Sequence, residues 1–144
     1  MKIYLGADHR GFQLKEELKQ ILQKNYEVED CGAFEKVESD DYTDYAKIVA
    51  EKVSTSSDCF GIVICGSGVG VDVTVNKFAN IRCGLGFNQE QIKKARQDDD
   101  INILALASDF TTFDVAKEIV EAFLKTEFEP SENHKRRIEK ISQL

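Results

Sequence analysis

The chain has 144 residues, a formal net charge of −7 and 42% apolar residues, which suits one domain, residues 1–144, with its own core. The acidic balance, with no basic block before the last dozen residues, argues against a nucleic-acid surface. No apolar run reaches membrane-spanning length, and the amino-terminal apolar stretch is too short for a signal peptide.

Residues 2–6 are predicted as a first buried strand, ending at Gly6-Ala7-Asp8-His9. Phe12, Leu14, Leu18, Ile21 and Leu22 then recur at helical spacing, with Asp8 as a candidate cap. Residues 26–30 read as a second strand, Gly32 breaks the pattern, and 33–41 is an acidic loop. A helix over 43–53 puts Tyr45, Ile48 and Val49 on one face. Residues 61–64, Gly-Ile-Val-Ile, read as a strand buried on both faces. A helix after the following glycines is predicted against the poor helix propensity of Val71, Val73, Thr74 and Val75. Residues 81–85 and 101–107 are further strands, and 89–97 is a polar helix closed by Asp98-Asp99-Asp100. Residues 112–125 form a helix with Val115, Ile119, Val120 and Phe123 inward. Pro130 breaks the chain, and Ser131 caps a last helix carrying His134 and Arg137. Alternating strands and helices give a parallel sheet covered on both faces.

Ligands of such sheets bind beyond the carboxyl ends of the strands. Asp8-His9, Cys65-Gly66-Ser67 and Ser108-Asp109 stand at those ends and are expected to converge. Cys65 is followed by Gly66, Gly68 and Gly70, which permit a sharp turn and close approach of a ligand. Free amides at a helix start near Gly70 favour an anion, and a thiolate beside them is a base or nucleophile. Taken alone, the pattern also fits a tight turn with an inert buried cysteine. It is neither the dinucleotide spacing nor a phosphate loop, since no Gly-Lys-Ser/Thr follows. The cysteines at 31, 59, 65 and 83 form no C-x-x-C pair, and with two histidines they do not suggest zinc. They read as reduced thiols of a cytoplasmic protein, with Cys31, Cys59 and Cys83 as packing residues.

Several stretches together resemble the ribose-5-phosphate isomerase B family and the related galactose-6-phosphate isomerase subunits. They are residues 6–12, Asp30-Cys31-Gly32, residues 41–46, residues 64–70 leading to Asn76-Lys77, Ala95-Arg96-Gln97, Asn102-Ile103-Leu104 and residues 134–138. The resemblance spans essentially the whole chain. It implies a Rossmann-like three-layer α/β/α sandwich with a five-stranded parallel sheet and a carboxy-terminal helix. It also implies homodimers or homotetramers with sites at subunit interfaces. The implied reaction is aldose–ketose isomerisation of a sugar phosphate, ribose 5-phosphate to ribulose 5-phosphate, through an enediolate with neither metal nor cofactor. Carried over by position, Cys65 is the base, and the amides from Gly66 through Ser67, Gly68 and Val69 to Gly70 hold the enediolate. Ser67 bonds a reacting hydroxyl, Asp8 and His9 contact substrate, and Tyr42 lines the site. Asp99 and His134 belong to the substrate-binding set, and Arg137 binds phosphate from a neighbouring subunit.

The chain also departs from the family pattern. Asp98 stands where the family has the histidine that opens the sugar ring, and Asp99 where it has asparagine. Asp109 and Asn133 replace two arginines, and Asp72 and Thr74 replace small residues after the glycine turn. An ionised Asp98 can accept the ring hydroxyl's proton. The departures keep two alternatives open. One is the cysteine-bearing subunit of a hetero-oligomeric galactose-6-phosphate-type isomerase, with a paralogous partner. The other is a homologue that binds sugar phosphate without turnover.

Overall fold

A computed structural model describes all 144 residues. Five strands, β1 (Lys2–Ala7), β2 (Glu27–Asp30), β3 (Cys59–Cys65), β4 (Cys83–Leu85) and β5 (Ile103–Ala107), form one parallel sheet in the order β2-β1-β3-β5-β4. Six helices connect or follow them: α1 (Phe12–Leu22), α2 (Tyr42–Ser54), α3 (Val69–Val75), α4 (Gln89–Asp99), α5 (Phe113–Lys125) and α6 (Glu132–Ser142).

The period-two geometry of a strand splits the core in two. Ile3, Leu5, Ile62, Ile64, Leu104 and Leu106 face α1 and α5, while Val63, Cys65, Ile103 and Ala105 face α2 and α3. The result is the expected three-layer α/β/α fold with five parallel strands. No helix is long and apolar enough to cross a membrane.

Two predicted faces are corrected. Ile48 is exposed, and α2 buries Ala46, Val49, Ala50 and Val53 instead. Val115 is likewise exposed, and α5 buries Ala116, Ile119, Val120 and Phe123. Both true faces follow the i, i+3, i+4, i+7 spacing, from which Ile48 and Val115 stand a position away. α4 continues through Asp98 and Asp99 and ends at Asp100, whose φ is +47°. Ser131 caps α6, accepting the His134 amide at 3.2 Å. α6 has no buried residue and packs against α4.

Candidate active site

The chain leaves β1 toward one edge of the sheet and β3 toward the other, so the ends of these neighbours form the switch point. Ala7 is in register with Ile64, which brings Asp8 and Cys65 side by side. The Asp8 amide donates to the Ile64 carbonyl at 3.3 Å. Asp8 is buried, and its Oδ1 accepts the amides of Arg10 and Gly11, each at 3.0 Å, fixing the loop into α1. From the end of β5, Ser108 Oγ lies 2.9 Å from the Arg10 carbonyl and 3.1 Å from that of Cys65. The three predicted strand ends therefore do converge.

Cys65 is buried at the end of β3, on the face packed by α2 and α3. Gly68, at φ +72°, turns the chain into α3, a left-handed conformation that a side chain would strain. The amides of Gly66, Ser67 and Gly68 have no protein acceptor, while Val69 donates to Ser67 Oγ at 3.3 Å. The turn thus presents several donors beside the thiol. The Tyr42 ring covers Gly70, where a methyl would stand 2.7 Å from the ring.

Burial, aided by Glu29, pushes the Cys31 thiol up to about 11. Burial and the neighbouring Asp72 also push Cys83 well up. Both stay protonated at neutral pH, as packing residues do.

His9 projects from the same β1 loop. Its Nδ1 is 2.6 Å from Asp40 Oδ1, which also accepts the His9 amide at 3.1 Å. Side-chain ligand atoms of Asp8, His9 and Asp40 lie within 4.8 Å of one another. Their bonds to one another and to the loop make this a hydrogen-bonded cluster rather than an open cation cage.

Asp98, Asp99, His134 and Arg137 are elsewhere. The Asp99 carbonyl accepts from Arg82 Nε at 2.9 Å, just before β4, and Arg96 reaches the Ile101 carbonyl at 2.6 Å, just before β5. These residues mark the amino edge of the sheet. Asp98 Oδ1 lies 3.5 Å from His134 Nε2 on α6, whose Nδ1 is 2.7 Å from the Glu129 carbonyl, and Arg137 is exposed. The seven residues of β3, at about 3.3 Å each, separate the two edges by roughly 20 Å. The predicted site residues thus fall into two groups that one copy does not bring together. Nor does Cys65 line the cleft of about 600 Å³ at the amino edge or the one of about 290 Å³ between α1 and α5.

Two features escaped sequence reasoning. Asp40 lay in a stretch read only as an acidic loop, and Arg10 pairs with Asp109 across the thiol turn. The family-pattern mismatch at Asp109 was the available signal for the second; nothing local marks the first.

Comparison with known proteins agrees with this fold. A family model described as Ribose/Galactose Isomerase matches residues 3–141. The probable ribose-5-phosphate isomerase B of Mycoplasma genitalium is 40% identical over 141 residues, covering 96% of this chain and 92% of the relative. The ribose-5-phosphate isomerase B of Escherichia coli is 38% identical over 144 residues, covering 99% and 95%. The crystal structure of the M. genitalium enzyme with bound ribulose-5-phosphate superposes with a TM-score of 0.94 at 39% identity, covering 99% of this chain and 94% of that one. The Thermotoga maritima ribose 5-phosphate isomerase gives a TM-score of 0.94 at 38% identity, covering 99% and 98%. With its fold and nearly its whole length in common with these proteins, the chain belongs to the Ribose/Galactose Isomerase family.

Proposed function

We propose that this protein interconverts ribose 5-phosphate and ribulose 5-phosphate, with Cys65 as the base and a second copy completing the site. The single observation that carries the reading is the Cys65 thiol at the switch point, followed by a turn whose Gly66, Ser67 and Gly68 amides are free. Relatives named ribose-5-phosphate isomerase B, one of them solved with ribulose-5-phosphate, support the substrate.

The chemistry follows from these groups. The Cys65 thiolate takes the proton from C2 of the open-chain aldose, and the electron pair moves into the carbonyl to give an enediolate. The turn amides stabilise that oxyanion. The proton returns to C1, while the proton on O2 passes to O1, with Ser67 as the nearby hydroxyl. No net oxidation occurs, and no redox partner is required. Asp98 of the other copy accepts the proton of the C1 hydroxyl and passes it to O4 as the ring C1–O4 bond breaks, which gives the open-chain aldose, and Arg137 of that copy meets the phosphate.

Two observations favour a two-copy site. Exposed apolar side chains stand along the carboxyl ends of the strands and on the helix after the thiol turn: Phe34, Phe87 and Phe110 follow β2, β4 and β5, and Val69 and Val73 lie on α3. Such a rim suits a protein interface. α6, with no buried residue, presents Arg137 outward.

The test is proton NMR of ribose 5-phosphate and ribulose 5-phosphate in deuterated water, with wild type and Cys65→Ala. Deuterium entering the product with wild type alone is the expected result. Equal incorporation with Cys65→Ala removes the cysteine base, and no turnover by wild type removes the substrate.

A further inference from the structure

The Arg10 guanidinium lies across Gly66, the residue after Cys65, and is paired there with Asp109. A methyl at position 66 would stand 2.5 Å from Arg10 Nε and 2.8 Å from Asp109 Oδ2. Glycine is therefore what lets the pair close over the turn. Backbone bonds fix both partners: the Arg10 amide donates to Asp8 Oδ1 at 3.0 Å, and the Asp109 amide donates to the Gly66 carbonyl at 3.0 Å. Yet the side chains of Arg10 and Asp109 are 57% and 34% exposed. Pairs so exposed contribute little to stability, so stability does not account for an arrangement that draws on three strand ends.

Charge does account for it. On the loops directly after β1, β3 and β5, the only basic side chains are His9 and Arg10. His9 Nδ1 is committed to Asp40. Asp109 engages Arg10 through Nη2, leaving Nε and Nη1 without a protein acceptor. A guanidinium with one nitrogen anchored and its other donors free can still offer a planar pair of donors to oxygens of a phosphoryl group. The pairing also offsets the negative charge that Asp109 would otherwise bring near a dianionic substrate.

We propose that Arg10, positioned by Asp109, is the side chain with which the Cys65-bearing copy grips the phosphoryl group of the sugar phosphate. The proposal rests on the isomerase reading above.

The test compares wild type with Arg10→Met, which keeps most of the stem, Arg10→Lys, which keeps the charge, and Asp109→Asn. Steady-state isomerisation gives kcat and KM, and inorganic phosphate serves as a competitive probe. Arg10→Met is expected to raise both KM and the phosphate inhibition constant at least about tenfold, with kcat falling far less. Arg10→Lys recovers part of the loss, and Asp109→Asn raises KM by a smaller factor. An unchanged KM and phosphate constant in Arg10→Met, or a loss confined to kcat, overturns the proposal. Phosphate binding is also read without turnover, by NMR titration of the Arg10 Nε–H in wild type and of the turn amides in both proteins. If wild type proves inactive, the isomerase reading falls alone. The grip on phosphate then stands if Arg10→Met weakens phosphate binding about tenfold, and falls if binding is equal.

Discussion

His9 and Asp40 are joined by a 2.6 Å contact between Nδ1 and Oδ1, across 31 residues of sequence. An ionised carboxylate only accepts, so Nδ1 is the donor of this contact. The Asp40 side chain is 7% exposed, and its buried Oδ2 has no hydrogen-bond partner. Asp40 thus sets the direction of the imidazole beside the thiol turn. Asp40→Ala is expected to raise KM for ribose 5-phosphate about fivefold, as lost positioning of a binding group does. The imidazole nitrogen shifts of His9 should move as Nδ1 loses its acceptor. Unchanged shifts would mean that the ring is held by another group.

The Lys15 side chain has no solvent exposure and is bracketed by Asp30 at 2.7 Å and Glu16 at 2.8 Å. Lys19 reaches the same Asp30 at 2.6 Å. Removing one partner of a buried pair leaves an uncompensated charge, so Asp30→Ala should cost about 3 kcal/mol in urea denaturation at neutral pH. Burial pushes the Asp30 carboxyl up, but the Lys15 and Lys19 ammoniums and the Gly32 amide outweigh it and hold the group below its ordinary 3.8. Such a carboxyl binds fewer protons folded than unfolded. Its stabilisation is complete above that ordinary value and is lost as the pH falls below it through the folded value. Wild type should therefore lose this contribution only below about pH 4, and Asp30→Ala should show a shallower loss there.

Asp72 gives the opposite sign. Burial on α3 raises its carboxyl, although Cys83 and Asn76 bond to it and lower it in part. A carboxyl raised in the fold favours folding in its protonated form, so that contribution disappears as the pH rises through the folded value. At neutral pH the ionised group opposes the fold. Asp72→Asn keeps an oxygen for Asn76 and should raise Tm by about 2 °C at pH 7, with the gain vanishing at acid pH. A lower Tm at pH 7 would show that the carboxylate is compensated.

Much of this was legible in the chain. The apolar runs of β1, β3 and β5 and the Ser131 cap are local patterns, and local rules read them correctly. α3 forms although its valines are poor helix formers, because the Gly68 turn starts it and Val71 and Val75 gain full burial. Tertiary packing outweighs propensity there. The pairing of His9 with Asp40 and of Arg10 with Asp109 spans 31 and 99 residues. Both depend on the order β2-β1-β3-β5-β4, which the alternation of strands and helices leaves open. Asp98 and Asp99 were readable as a helix end, but not as lying at the edge of the sheet opposite Cys65.

That separation makes the division of the site between copies testable without a structure of the assembly. Cys65 stands at the carboxyl edge and Arg137 on α6, which packs on α4 and carries Arg137 outward. If each site takes Cys65 from one copy and Arg137 from another, Cys65→Ala and Arg137→Ala should each be nearly inactive alone. Mixed by co-expression in equal amounts, half of the dimers carry one of each. Every mixed dimer has one site with both groups intact and one with neither, so activity should return to about a quarter of wild type in a symmetric dimer. A site built within one copy has no intact arrangement in any mixture, and the mixed sample would then be as inactive as its parents.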